Sequence, residues 1–158
     1  MYSTIKKKFP NKVILGTAQF GDKYGISNKS GVLNRLEVIK ILKFSKRNNI
    51  SYLDTANEYK GYEKILGKQN LNDWKISMKI TKKFYSKNNN EKSFNTLFLE
   101  SLKLLKQKKF EYFLFHHSEN LLSKNGSKIY KLLINLKKRG LIGKIGVSAY
   151  SPSDVLKV

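Results

Sequence analysis

Apolar residues in this chain follow two alternating spacings. Short runs that are apolar at most positions predict five β-strands, at residues 13–16, 51–54, 75–80, 112–115 and 144–148. Between them, apolar residues recur every three or four positions, as on one face of a helix; these faces carry Val38, Ile41, Leu42 and Ser45, then Tyr62, Ile65 and Leu66, then Phe94, Leu97, Phe98, Leu102 and Leu105, then Ile129, Leu132, Leu133 and Leu136. Such alternation is typical of an α/β domain with a parallel sheet.

Local signals support these helix boundaries. They are a capping-box pattern at Asn34 and Glu37, a basic last turn followed by glycine at 137–140, and a cap, proline and acid at Ser151, Pro152 and Asp154. Residues 17–30 and 85–91 are predicted as loops. The run 112–115 is apolar at every position, which predicts a strand buried on both faces of the sheet.

Five strand–helix units, the last cut short near Val158, fit two architectures. One is an open doubly wound sheet, but Gly16, Gly21 and Gly25 do not match the G-x-G-x-x-G spacing of its phosphate-binding turn. The other is a barrel, whose complete eight-stranded form takes about 250 residues. We therefore expect one domain over residues 1–158, a truncated (β/α)₈ TIM barrel of about five parallel βα units with strands six to eight missing.

The net charge of +21 raises the possibility of a nucleic-acid-binding protein. Lysine outnumbers arginine 29 to 3, however, and the lysines are spread along the whole chain. A phosphate-reading surface favours the planar fork of arginine, so we expect weak adsorption to polyanions and no specific nucleic-acid partner. The chain has no cysteine, no signal-peptide pattern and no apolar run long enough for a bilayer. The expected location is the cytoplasm, with no membrane partner.

Candidate chemistry lies at the ends of three consecutive predicted strands. Asp54, Lys79 and His116 each end an apolar run, and Tyr59 follows Asp54 by five residues. That is the edge at which a barrel places its catalytic groups. A phenol can donate a proton to a carbonyl oxygen, and a neighbouring lysine is expected to lower its pKa from about 10. Asp54 would then hold Lys79 in place.

Each of these residues also has a plainer interpretation. An aspartate at a strand end often caps a turn, a loop tyrosine often only packs, and Lys79 is one of many lysines. The functional interpretation of His116 is that it orients a carbonyl oxygen. The pair His116 and His117 could suggest a metal site, but neighbours on a strand point to opposite faces. We therefore expect no metal site, and a place for His117 in a loop near the substrate entrance.

These residues belong to a longer set of motifs. In chain order they are Leu15-Gly16-Thr17-Ala18-Gln19-Phe20-Gly21, Tyr24-Gly25-Ile26, Tyr52-Leu53-Asp54-Thr55-Ala56 with Tyr59 and Glu63, then Lys79, His116 and Ile145-Gly146-Val147-Ser148. Together they resemble the aldo-keto reductases, from about Lys12 to Pro152. The resemblance implies a (β/α)₈ barrel that uses NADPH to reduce aldehydes and ketones.

The resemblance also implies roles for single residues. It implies a catalytic tetrad at Asp54, Tyr59, Lys79 and His116. It places the nicotinamide near Gly16, Thr17, Ala18 and Asp54, with Ser148 contacting its carboxamide. The implied substrate is a small carbonyl compound.

The chain departs from the family pattern at several positions. Lys60 and Tyr62 stand where the family usually has glycine and a small polar residue, and Ala149 stands where asparagine often follows Ser148. We expect the later loops, which in the family hold the pyrophosphate and the adenosine phosphate, to be missing together with strands six to eight. Three hypotheses follow. The chain is a reductase that we expect to be weak or inactive as the isolated fragment, a non-catalytic truncated homologue with little NADPH binding, or a part whose open sheet edges pair with a second chain or copy.

Overall fold

A computed structural model of the chain describes residues 13–29, 31–59, 61, 65–81 and 91–158. Its strands are β1 (Leu15–Gly16), β2 (Tyr52–Ala56), β3 (Lys75–Ile80), β4 (Phe110–Phe115) and β5 (Ile142–Val147). Its helices are α1 (Arg35–Arg47), α2 (Glu91–Leu104), α3 (Ser118–Leu122), α4 (Gly126–Lys138) and α5 (Pro152–Leu156). None of these described helices has the length and apolarity needed to cross a bilayer.

The five strands form one parallel sheet in the order β1-β2-β3-β4-β5. Every strand therefore lies beside its neighbour in sequence, without the reversal of order that marks a doubly wound sheet. Sequential parallel order with intervening helices is the arrangement of a (β/α) barrel, so the predicted partial barrel is confirmed. In this register Asp54 lies opposite both Gly16 and Ser77, and Ala56 lies opposite Lys79.

The predicted boundaries hold best in the middle of the sheet. The third strand matches its prediction at both ends, whereas β4 and β5 each begin two residues earlier than predicted. The first strand shrinks to two residues, because it pairs only with β2 among the described strands and leaves Val13 and Ile14 exposed. The helix α3 was not predicted. Residues 62–64 of the predicted short helix and most of the predicted loop at 85–91 lie outside the described residues.

Helix caps form where the sequence predicts them. The Asn34 side chain accepts a hydrogen bond from the backbone N–H of Glu37 at 3.0 Å, and the Glu37 carboxylate accepts one from the Asn34 N–H at 2.7 Å. Ser151 and Asp154 form the same reciprocal pair at the start of α5. Both boxes satisfy amide groups that would otherwise lack partners at a helix start.

The core lies between the sheet and its helices. Phe98 of α2 packs against Phe110 and Phe113 of β4, with ring centroids 5.5 and 5.2 Å apart. All three side chains are fully buried. This packing fixes the position of β4, and with it the position of His116 at the end of that strand.

The opposite face of the sheet is more open. Tyr52 lies 6.1 Å from Tyr112 between ring centroids and accepts a hydrogen bond from Lys75. Tyr112 and Leu114 are only partly buried, although Phe113 and Phe115 are fully buried. The expectation of burial on both faces of residues 112–115 is therefore wrong, because no second layer of the described chain covers this side.

Candidate active site

The carboxyl ends of the parallel strands bring the four predicted catalytic side chains together. Asp54 and Lys79 form an ion pair across β2 and β3. The Lys79 Nζ atom lies 5.6 Å from the centroid of the Tyr59 ring. The Tyr59 ring lies 6.2 Å from the His116 ring, with the two planes at 78°. An acid, a cation and an imidazole thus surround one phenol.

The Asp54–Lys79 pair is held by its neighbours. The Ser77 hydroxyl donates to Oδ1 of Asp54 at 3.0 Å, which leaves the other oxygen for Lys79. The Lys79 side chain is 10% exposed and that of Asp54 is 28% exposed. Burial alone would lower the pKa of Lys79, but the hydrogen bond and the charge of Asp54 raise it above its usual value. Lys79 is therefore a fixed cation at neutral pH.

Tyr59 is held by its backbone and by aromatic neighbours. Its N–H donates to the carbonyl of Ala56 at 3.2 Å, and its ring lies 6.5 Å from that of Tyr24. Burial raises the pKa of the Tyr59 phenol above its usual value, although Lys79 pulls the pKa downward. The expectation of a lowered pKa is therefore wrong: desolvation outweighs the cation, and Tyr59 keeps its proton at neutral pH.

His116 is anchored at the end of β4. Its N–H donates to the carbonyl of Ile80 at 2.9 Å, and the residue is only 6% exposed. Burial lowers the pKa of the imidazole, and the charge of Glu58 offsets part of this effect. A neutral imidazole with one N–H can donate a hydrogen bond to a substrate oxygen.

A cleft of about 270 Å³ opens onto this cluster. It is lined by Ala18, Asp22, Tyr24, Glu58, Tyr59, His116, His117 and Tyr150. Its volume suits a small ligand. Sequence reasoning gave no role to Asp22, Glu58 or Tyr150. The one local signal for Glu58 was its place directly before Tyr59 in the loop after β2.

The two histidines do not behave as strand neighbours. The rings of His116 and His117 are stacked, with centroids 4.8 Å apart and planes at 15°. His117 also stacks on Tyr150 at 5.4 Å. The expectation that the two imidazoles face opposite ways is wrong because β4 ends at Phe115, so strand alternation no longer applies. The expected position of His117 at the cleft entrance agrees with the lining of the cleft.

The residues expected near a nicotinamide lie along the same rim. Thr17 donates from both its N–H and its hydroxyl to the carbonyl of Asp54, each at 3.0 Å. Ala18 lines the cleft, and Ser148, partly exposed, follows β5 with its N–H bonded to the Phe115 carbonyl. At Gly16 an added Cβ would meet no atom within 4 Å. Of these residues, Ala18 shares the cleft with Tyr59, whereas Thr17 is buried and uses its hydroxyl within the chain.

Two larger surface clefts, of about 540 and 640 Å³, surround Trp74 just before β3 begins. Their charged side chains are mainly lysine, and neither lining includes Asp54, Tyr59, Lys79 or His116. They lie at the amino ends of the strands, away from the edge where parallel α/β folds place ligands. The smaller cleft is therefore the candidate active site.

Comparisons with known proteins agree with the site and the fold. Residues 12–158 match the model of the aldo/keto reductase family. PA4992 from Pseudomonas aeruginosa, a structure assigned to the aldo-keto reductases, is 28% identical with a TM-score of 0.68, over 89% of this chain and 55% of that chain. AKR11C1 from Bacillus halodurans, solved in a holo form, is 16% identical with a TM-score of 0.66, over 92% and 48%.

A third solved structure, the thermostable aldo-keto reductase Tm1743 in complex with the inhibitor epalrestat, is 20% identical with a TM-score of 0.62, over 98% of this chain and 54% of that chain. The chain thus spans about half the length of these structures. A comparison with curated proteins found no significant match. The family match over residues 12–158 nevertheless covers most of the sequence, and the chain belongs to the aldo-keto reductase family.

Proposed function

We propose that this chain is a carbonyl reductase that uses NADPH to reduce small aldehydes or ketones, with Tyr59 as the proton donor. The observation that carries the proposal is the position of the Tyr59 ring near both Lys79, which is paired with Asp54, and His116, with Tyr59 and His116 lining one small cleft. The family match supports the same reaction class. A cytoplasmic location is part of this proposal.

NADPH, when bound, would supply the hydride that reaches the carbonyl carbon. Gly16, Thr17, Ala18, Asp54 and Ser148 are the residues proposed to hold its nicotinamide end. The partial exposure of Asp54 and Ser148 and the open space at Gly16 support this assignment.

The remaining steps use side chains of the cleft. The substrate oxygen accepts a hydrogen bond from His116, which orients the carbonyl group toward Tyr59. As negative charge develops on that oxygen, Tyr59 transfers its phenolic proton to it, and the product is the alcohol. The Lys79 ammonium then stabilises the phenolate that is left, and Asp54 keeps Lys79 beside it. Solvent returns the proton to Tyr59. A well-placed acid of this kind contributes about 10²–10⁴-fold to the rate.

Replacing Tyr59 with phenylalanine tests the proposal. We expect the rate of carbonyl reduction to fall by about 10²–10⁴-fold, because the ring stays and only the proton donor is lost. The assay follows the loss of NADPH absorbance with para-nitrobenzaldehyde in single turnovers, with the chain in excess over NADPH. Excess chain is used because the isolated chain is expected to turn over slowly.

The matched control for this assay is Tyr130→Phe. Tyr130 is an exposed tyrosine of α4, so its loss should leave the rate unchanged. Equal rates for wild type and Tyr59→Phe would refute the role of Tyr59. A wild type that neither reduces the aldehyde nor changes NADPH fluorescence would favour the non-catalytic homologue.

A second candidate is that another chain, or another copy, completes the barrel. The strands β1 and β5 each pair with only one neighbour among the described strands. Strands with an unpaired side are templates for association. Light scattering coupled to size-exclusion chromatography would detect self-association, and activity that rises with the associated fraction would support this candidate.

A further inference from the structure

Three side chains that can bind a metal meet at the entrance of the candidate active site. Glu58, His116 and His117 each offer one ligand atom, and the three atoms all lie within 4.8 Å of one another. We propose that these three side chains bind one divalent transition-metal ion, such as Zn²⁺, at the mouth of the cleft.

The chemistry of the three ligands selects the class of ion. Two imidazoles and a carboxylate are a common ligand set for Zn²⁺ in sites that keep a fourth position for water. Magnesium and calcium prefer sites built from oxygen atoms alone. The mixed nitrogen and oxygen set at Glu58, His116 and His117 therefore favours a first-row transition metal.

The geometry requires a modest adjustment. In a tetrahedral zinc site with metal–ligand distances of about 2.1 Å, the ligand atoms lie about 3.4 Å apart. The widest separation, up to 4.8 Å, therefore has to shrink by about 1.4 Å, and the 2.6 Å contact between Glu58 Oε1 and His116 Nδ1 has to open. Glu58 and His117 are exposed and can move, whereas His116 is fixed by its backbone bond to Ile80. One rigid ligand and two adjustable ligands can close around an ion.

An independent feature of His116 points to a missing ligand. Its Nδ1 atom is buried and has no hydrogen-bond partner in the described part of the chain. The Glu58 Oε1 atom lies only 2.6 Å from it, so the two groups are in contact but not aligned as a hydrogen bond. Buried polar atoms normally have a partner. A metal ion held by both groups would provide one.

The charges around this place partly offset one another. Besides burial, Lys79 lowers the pKa of His116 and so opposes a cation there, but Glu58 and Asp54 act in the opposite direction, and Lys79 is paired with Asp54. Among the described residues, Glu58 contacts no lysine or arginine within ion-pair distance, so its negative charge is available to a metal. The aromatic stack of His117 on Tyr150 keeps the second imidazole near the first.

The proposed metal would regulate the proposed reductase, and this part of the inference rests on the proposed function. An ion bound through Nδ1 of His116 would occupy the cleft that Tyr59 faces and keep the carbonyl substrate out of it. Zinc should therefore inhibit reduction in competition with the carbonyl substrate.

The composition of the chain leaves few other ligands that could bind zinc. The chain contains two histidines and no cysteine, so His116 and His117 are its only imidazole or thiolate ligands. Calorimetric titration of the full chain, prepared without a polyhistidine tag, with zinc chloride should show one Zn²⁺ bound per chain. The NMR signals of both histidine rings should shift together during the same titration.

Variants separate this site from nonspecific binding. Loss of outer partners of a metal site already costs about 10–100-fold in affinity, so His117→Ala and Glu58→Gln should each weaken zinc binding at least tenfold. Glu119→Gln, which alters an exposed carboxylate of α3, should bind zinc as wild type does. Tyr59→Phe should also bind zinc normally. Circular dichroism verifies that each variant is folded.

Two results would overturn the site: no saturable zinc binding by wild type, or wild-type affinity in both His117→Ala and Glu58→Gln. Calorimetry needs no reductase activity. It therefore tests the metal site separately from the proposed function. Zinc binding without any carbonyl reduction would keep the metal site and reject the reductase. Reduction that zinc does not inhibit, despite bound metal, would reject the regulatory part.

Discussion

Replacing Phe98 with alanine is expected to lower the free energy of unfolding by about 3–5 kcal/mol. Phe98 is fully buried, and its ring lies 5.5 and 5.2 Å from the rings of Phe110 and Phe113. The variant loses the burial of an aromatic ring, leaves a cavity between α2 and β4, and breaks two edge-on aromatic contacts. Urea denaturation followed by circular dichroism measures the loss.

The next residue of the same helix supplies the control. Leu99 is 50% exposed, so Leu99→Ala should change the stability by less than about 0.5 kcal/mol. If the two variants lose equal stability, α2 does not pack as the structure has it. Because β4 carries His116 at its end, Phe98→Ala should also disturb the His116 ring signal in NMR spectra, whereas Leu99→Ala should not.

The parts of the fold that the sequence predicted best are those that burial determines. The third strand could be placed to the residue because its apolar run, 75–80, is packed between two neighbouring strands. The first strand was predicted too long, because its apolar residues Val13 and Ile14 lie exposed at the sheet edge. The helix α3 was not predicted because five residues are too few to display a helical period.

For the candidate site, strand ends were a better guide than local chemistry. Parallel strands end at a common edge, so the sequence alone predicts that Asp54, Lys79 and His116 lie together. The direction in which the pKa of Tyr59 shifts could not be predicted in the same way, because it depends on burial, which the sequence does not display. The stacking of His116 on His117 depends on where β4 ends. Because the strand ends at Phe115, its alternation of side chains does not extend to His116.

Replacing Asp54 with asparagine should cost about 3 kcal/mol of stability, since breaking a buried ion pair leaves a charge without a partner. The Lys79 side chain is only 10% exposed, so its ammonium cannot recover full hydration. In the variant, burial should lower the pKa of Lys79. The folded state then binds fewer protons than the unfolded state. The loss of stability caused by Asp54→Asn should therefore become smaller as the pH rises above neutrality.

The wild type should show the opposite pH dependence. There the pKa of Lys79 is raised above 10.5, so the contribution of the pair persists through neutral pH and is lost only as the pH rises through the folded-state value. Urea denaturation at several pH values measures both trends. At alkaline pH the other lysines also titrate, so their effect on stability is taken from Lys79→Met, which lacks only the Lys79 ammonium.

The variant Lys79→Met separates charge from shape. Methionine fills much of the lysine volume, and Asp54 keeps the hydrogen bond from Ser77 and some contact with solvent. We expect it to cost about 1 kcal/mol, and the double variant with Asp54→Asn to recover most of the loss that Asp54→Asn causes alone. If the two losses simply add, the pair is not coupled. Strong coupling would mean that the cation beside Tyr59 is held by Asp54, because that carboxylate keeps an otherwise costly charge inside the fold.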